Sequence, residues 1–104
     1  MNPSDHIQIV TFQLAGLEPD AYRAHTEASA PKFTEIPGLR AKAWLANPSA
    51  NTYGGLYAWE SREAMEAYVS GPIFGGLLAN PGMADVTTRD FGVLTRPTEI
   101  TRRR

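Results

Sequence analysis

Aromatic side chains with polar tips dominate the chemistry open to this chain. Tyr53, Tyr57 and Trp59 share one parity of a single extended segment, and Trp44 stands on the segment before it. Tyr68 and Phe74 follow on helical segments, and Tyr22 lies on an earlier one. Tyrosine and tryptophan each bring a large apolar body and a polar atom that needs a partner when buried. Several such groups converging between helices and a sheet suit a flat aromatic ligand that carries phenolic oxygens. His25 is the side chain near them that titrates close to neutrality, which makes it the candidate general base. Read as packing alone, the same residues are an aromatic core with a surface histidine.

Other chemistries lack their residues. The chain has no cysteine and two histidines, His6 and His25, far apart in sequence. A zinc site needs at least three protein ligands, so no metal site is expected. Gly54-Gly55 falls inside a strand and Gly75-Gly76 inside a helix, so neither opens a helix as a phosphate-binding loop does. The first pair suits a bulge or room beneath a ligand; the second suits close backbone packing. No GxSxG elbow is present. The expectation is a site without a cofactor.

The elements that must position these groups follow from pattern. His6 to Leu14 is β-rich and apolar on both parities, with Ile7 and Ile9 on one side and Val10, Phe12 and Leu14 on the other. Pro19 opens a helix in which Ala21, Ala24 and Ala28 form a small-residue stripe for the sheet. Tyr22, His25 or Thr26, and Ser29 lie on the next stripe; Pro31 bends or ends this helix. Leu39 to Asn47 and Thr52 to Glu60 read as a hairpin around Asn47-Pro48-Ser49-Ala50-Asn51. Ser61 caps a helix from Arg62 to about Ser70, and Gly71-Pro72 starts a shorter one whose Ile73, Phe74, Leu77 and Leu78 should point inward. Asp85 to Leu94 is the last strand.

The order β-α-β-β-α(α)-β is the ferredoxin-like α+β arrangement, a four-stranded antiparallel sheet with helices on one face. The 104 residues make one domain, 1–104, with flexible ends at 1–5 and 97–104. Helices on one face leave the second apolar face wet, at about 25 cal/mol per Å². A homodimer that closes a barrel between two sheets, a dimeric α+β barrel, removes that penalty. Net charge is −1, and without Arg102, Arg103 and Arg104 seven basic side chains face eleven acidic ones. An acidic body gives no footprint for nucleic acid. No apolar run approaches the roughly 20 residues of a membrane span, and no signal peptide is evident, so a cytoplasmic protein is expected.

The segments Pro37-Gly38-Leu39, Lys42-Ala43-Trp44, Gly54-Gly55-Leu56-Tyr57-Ala58-Trp59-Glu60-Ser61, Ala64 and Ala67-Tyr68 together resemble the YdhR-like monooxygenases. These belong to the dimeric α+β barrel superfamily, with the antibiotic-biosynthesis monooxygenases as relatives, and the similarity runs from about residue 7 to residue 95. The resemblance implies the same fold and dimer, with a pocket between helices and sheet. Its quinone-forming relatives oxidise polyphenolic polyketides with O₂ and no metal, flavin or haem. By that likeness Trp59 matches the tryptophan of a Trp-Glu-Ser segment and joins His25 as a catalytic candidate. Tyr22, Trp44, Tyr57, Tyr68 and Phe74 are then the substrate-binding wall. Gly55 and Met65 stand where that subgroup has a pocket asparagine and tyrosine. Leu78 stands where haem-degrading members have a histidine ligand, and Tyr68 where they have a tryptophan. The reading is a cofactor-independent monooxygenase on a phenolic or polycyclic compound. A cyclase or isomerase using the same cavity is one alternative, a non-catalytic small-molecule-binding stress protein another.

Overall fold

The computed structural model describes residues 5–102; the expectations for residues 1–4 and for Arg103 and Arg104 lie outside them. Strand β1 (His6–Leu14) runs through the middle of the sheet. Helix α1 (Pro19–Phe33) begins at Pro19, whose fixed φ suits a first turn. A hairpin follows, made of β2 (Leu39–Asn47), a 3-10 turn at Pro48–Ala50 and β3 (Thr52–Trp59). Ser61 caps α2 (Arg62–Val69) by accepting a hydrogen bond from the Ala64 amide at 3.1 Å. Then come α3 (Pro72–Ala79), β4 (Met83–Gly92) and α4 (Thr95–Thr101). The strand order is β2-β3-β1-β4 with every pair antiparallel, the expected ferredoxin-like sheet.

Register decides what each face carries. Gln8, Val10 and Phe12 of β1 sit opposite Tyr57, Gly55 and Tyr53 of β3. Lys42 and Trp44 of β2 sit opposite Tyr57 and Gly55. Directly paired residues share a face, and this face meets the helices. Val10, Phe12, Tyr53, Tyr57 and Trp59 form its core with Tyr22, Met65, Tyr68 and Phe74 from the helices. The other face carries Ile7, Ile9, Leu45 and Leu56, all partly buried, and Phe91 at 51% exposure. The apolar pattern on both parities is therefore a pattern on both faces.

At the end of the covered face where β3 finishes, Trp59 is wholly buried and donates its indole N–H to Gln8 Oε1 at 2.9 Å. Gln8, equally buried, passes its amide on to Thr88 Oγ1 at 2.9 Å. Each polar atom of this chain would cost free energy if left unpaired inside.

Several local expectations are corrected. Pro31 does not end α1, which continues to Phe33 because the last turn closes through bonds such as Thr34 N to Pro31 O at 3.3 Å. The inner stripe of α1 is Tyr22, Thr26, Ser29 and Phe33, while Ala21, Ala24 and Ala28 are exposed. Burying two rings removes more apolar area than burying three methyls. On α3, Phe74 is buried but Ile73 and Leu78 are 40% and 56% exposed, since one short helix turns only one narrow stripe inward. Strand β4 starts at Met83, two residues early, because a bulge with Asp85 at φ 53° resets its parity. Gly75 and Gly76 have open space where a side chain would go, so close packing is not their role. The ends also differ: Asp5 is buried against Arg40 at 2.9 Å, and Thr95–Thr101 is helical with Pro97 in its first turn.

Trp59→Phe keeps the ring but leaves Gln8 Oε1 buried without its donor, a loss of about 1–3 kcal/mol. For a domain of this size that is a fall of about 4–8 °C in Tm per kcal/mol. Circular-dichroism melts check it, and an unchanged midpoint would show that the bond is idle.

Candidate functional site

Between the covered face of the sheet and helices α1 to α3 lies a cavity of about 330 Å³, at the low end of the size of small-molecule sites. The sheet supplies Phe12, Trp44 and Tyr57 to its wall. Helix α1 supplies Tyr22, His25, Ser29 and Phe33, and Tyr68 of α2 and Leu77 of α3 close the far side. A second hollow of about 440 Å³ shares Tyr68 and Ile73 with it but holds none of the other rings.

The rings are locked to one another. Tyr22 meets Phe12 edge-on at 5.8 Å and Tyr53 at 5.1 Å. Phe33 meets Trp44 edge-on at 5.1 Å, bridging α1 to the outer strand. The hydroxyls of Tyr57 and Tyr68 are hydrogen-bonded at 3.2 Å. Burial pushes the Tyr22 phenol up to about 12, helped by Tyr53. The Tyr57 phenol is pushed up further by burial and by Tyr68, and burial raises Tyr68 against the opposing pull of its bond to Tyr57. All three stay protonated at neutral pH; Tyr22 and whichever of Tyr57 and Tyr68 accepts their shared bond have an O–H free for a ligand oxygen.

The structure brings together most of the residues expected from sequence. Tyr22, Trp44, Tyr57 and Tyr68 line the cavity, and His25 borders it from α1, exposed, with its Nε2 3.5 Å from Ser29 Oγ. Two do not reach it. Trp59 lies behind the wall, stacked on Tyr57 with an interplanar angle of 1°, and its N–H is already taken by Gln8. It is a support, not a group that touches substrate. Phe74 is buried against Tyr68 at 5.6 Å and also stands outside the wall, because α3 turns it under α2. Met65 is buried in the core. Leu78 is exposed on α3 away from the cavity, so it offers no ligand to an iron porphyrin. Among the described residues no three His, Cys, Asp or Glu side chains cluster as a metal site would require.

Sequence reading missed Lys42. Its Nζ stands 3.3 Å from the Trp44 ring centroid, 3.6 Å from Phe33 and 4.7 Å from Tyr57, on the cavity wall. The alternation that puts Trp44 on this face puts Lys42 there as well, so the signal was present. The side chain reaches inward because Gly55 lies beside it: a Cβ on Gly55 would come 2.8 Å from Lys42 Cε. Burial takes the ammonium out of water and lowers its pKa from 10.5 to about 7. Phe33 was missed too, although it continues the Tyr22, Thr26, Ser29 stripe by helical spacing.

Comparison with known proteins agrees with this architecture. The family model described as "Putative mono-oxygenase ydhR" matches residues 7–104. No curated protein sequence matches significantly. Among solved structures, SnoaB of Streptomyces nogalater, a cofactor-independent oxygenase, is 18% identical with a TM-score of 0.69, over 90% of this chain and 98% of that one. The heme-degrader MhuD of Mycobacterium tuberculosis, solved with two hemes in its active site, is 20% identical with a TM-score of 0.69 over 86% and 95%. A dimeric ferredoxin-like protein of unknown function from Thermobifida fusca is 20% identical with a TM-score of 0.68 over 86% and 91%. At such identities these likenesses speak to the fold. No helix among the described residues is long and apolar enough to cross a membrane.

The lowered pKa of Lys42 makes a stability prediction. Between pH about 7 and 10.5 the unfolded chain holds a proton at Lys42 that the folded chain has released, so stability rises with pH across that window. Above pH 10 the tyrosines act the other way, since Tyr22 folded keeps its proton to about 12 while unfolded it loses it near 10.0. Urea midpoints should therefore climb from pH 7 to 10 in the wild type, and Lys42→Met should flatten that climb.

Proposed function

The chain belongs to the ydhR mono-oxygenase family, and from that premise we propose that it is a cytoplasmic homodimer that oxygenates a phenolic or polycyclic, polyketide-like aromatic with O₂, without metal, flavin or haem. The observation that carries the reading is the ring-walled cavity with buried hydroxyls, which matches a flat substrate bearing phenolic oxygens. The likeness of the fold to a cofactor-independent oxygenase supports it. The reaction starts when the bound phenol or anthrone loses a proton. Its electron-rich anion then reduces O₂ directly: for an anthrone, one oxygen atom ends in the new ring carbonyl and the other leaves as water with the two hydrogens of the oxidised carbon. Of Tyr57 and Tyr68, protonated and paired at 3.2 Å, the one that accepts their shared bond keeps an O–H to donate to the developing oxyanion. Tyr22 and Trp44 hold the rings of the substrate. His25, exposed at the rim, exchanges protons between the site and water. Gly55 and Met65 carry no polar group, so any polar help on that side comes from another residue.

The open sheet face with Ile7, Ile9, Leu45 and Leu56 supports the homodimer, as does the dimeric state of a similar fold. Light scattering at micromolar concentration should return about twice 11.4 kDa; a clean monomer would remove the barrel. An oxygen electrode tests the reaction, with uptake of O₂ matching consumption of an anthrone-type phenol. Turnover without oxygen uptake would move the assignment to a cyclase or isomerase, and binding without turnover to a carrier.

A further inference from the structure

A lysine amine held among the faces of three rings, with a cavity beside it, is an uncommon place for a cation. Lys42 has no ion-pair partner among the described residues, and no carboxylate lines the cavity. The titratable groups that do line it are His25, Lys32 and Tyr22 from α1, Tyr57 from β3 and Tyr68 from α2. The tyrosines are held in their protonated form by burial and so act as donors. His25 is exposed. That leaves Lys42 as the group inside the walls able to take a proton.

We propose that Lys42 is the proton acceptor of this site, and that its ligand is a hydroxylated aromatic bound as the oxyanion. The proposal rests on reading the cavity as a site for phenolic molecules. The ligand enters neutral beside a neutral amine. Its O–H bond breaks, the electron pair stays on oxygen, and the proton forms the third N–H bond of Nζ. The ammonium then lies against the oxyanion it created, with the ring faces of Trp44 and Phe33 on its other sides, 3.3 and 3.6 Å away. Attraction between ammonium and oxyanion, with ring faces around Nζ and no carboxylate to compete, works for that product against the burial that opposes both charges. Because burial brings the amine to about 7, much of it is unprotonated and ready at physiological pH.

Gly55 is the positioning residue for Lys42. A methyl at that position would sit 2.8 Å from Lys42 Cε and 3.1 Å from the Tyr57 ring, so the stem must move for it to fit. Gly55→Ala therefore keeps the amine and displaces it, a change that loss of charge alone would not mimic.

The test uses 4-nitrophenol, whose anion absorbs visible light, under anaerobic conditions so that oxygen chemistry plays no part. Wild-type protein should bind the probe with quenching of tryptophan fluorescence and should lower its apparent pKa by about 1–3 units, seen as growth of the phenolate band. Lys42→Met should still quench but lose that shift, and Gly55→Ala should show a smaller one. Lysine ¹³Cε NMR of the wild type, which needs no variant to fold, should show Lys42 passing from amine to ammonium as the probe binds. A wild type that does not bind the probe, or binds it without the phenolate band, overturns the proposal. So does a shift that survives Lys42→Met. Phenolate formation without oxygen uptake on an anthrone would leave Lys42 in place and remove the oxygenase reading instead.

Discussion

Burying an indole between a small sheet and its helices demands a partner for its N–H, and Gln8 on the neighbouring strand meets that demand at 2.9 Å. The rest of the covered face is built outward from this pair. With Trp59 held, Tyr57 stacks parallel to it and Tyr68 leans on both at 5.4 and 5.2 Å. Those two tyrosines then present their hydroxyls to the cavity from a support that cannot easily turn. A fully apolar core would have filled this space without a direction; the hydrogen bond from Trp59 through Gln8 to Thr88 gives it one.

The cavity exists because α1 meets the sheet through large side chains. Tyr22 and Phe33 reach down to Phe12, Tyr53 and Trp44, and the space between these two contacts stays open. Into it projects Lys42, whose burial is unfavourable to its charged form. A hydrophobic residue of similar length would pack there with no such penalty. A destabilising group on the wall of a cavity is what the proposed proton transfer requires, and it is also what marks a candidate functional position. At Gly55 the strand gives up a side chain and the lysine stem takes the room.

The second constraint is that the sheet has helices on one face and apolar side chains on two. The covered face holds the cavity; the open one, with Ile7, Ile9, Leu45 and Leu56, is the face that the proposed homodimer would cover. Since the strands are shared, both faces depend on one register. A slip of one residue in β1 would turn Gln8 outward and Ile7 and Ile9 inward, and would lose site and open face together.

Much of this was legible in the sequence, for a physical reason. Strand parity is set locally, so the run from His6 to Leu14 and the pairing of Tyr53, Tyr57 and Trp59 on one side could be read before any fold was known. Ser61 as a cap and Pro19 as a helix start are likewise local. The phase of α1 was not legible, because alanines and tyrosine compete for the sheet and only packing shows that the rings win. Nor was the depth at which each aromatic lies. Trp59, Tyr57 and Tyr68 look alike in sequence, yet the first is sealed behind the other two, since its contact with Tyr68 and its bond to Gln8 are made between separate elements. Lys42 shows the same division most sharply. Alternation places it on the face with Trp44, but whether a long flexible side chain runs out to water or folds in among rings is decided by Gly55 beside it and by Phe33 across the cavity, 22 residues before Gly55 in the chain. Sequence determined the strands, their two apolar faces and the aromatic character of the covered side; the tertiary structure alone decided which rings line the cavity and that a lysine stands among them.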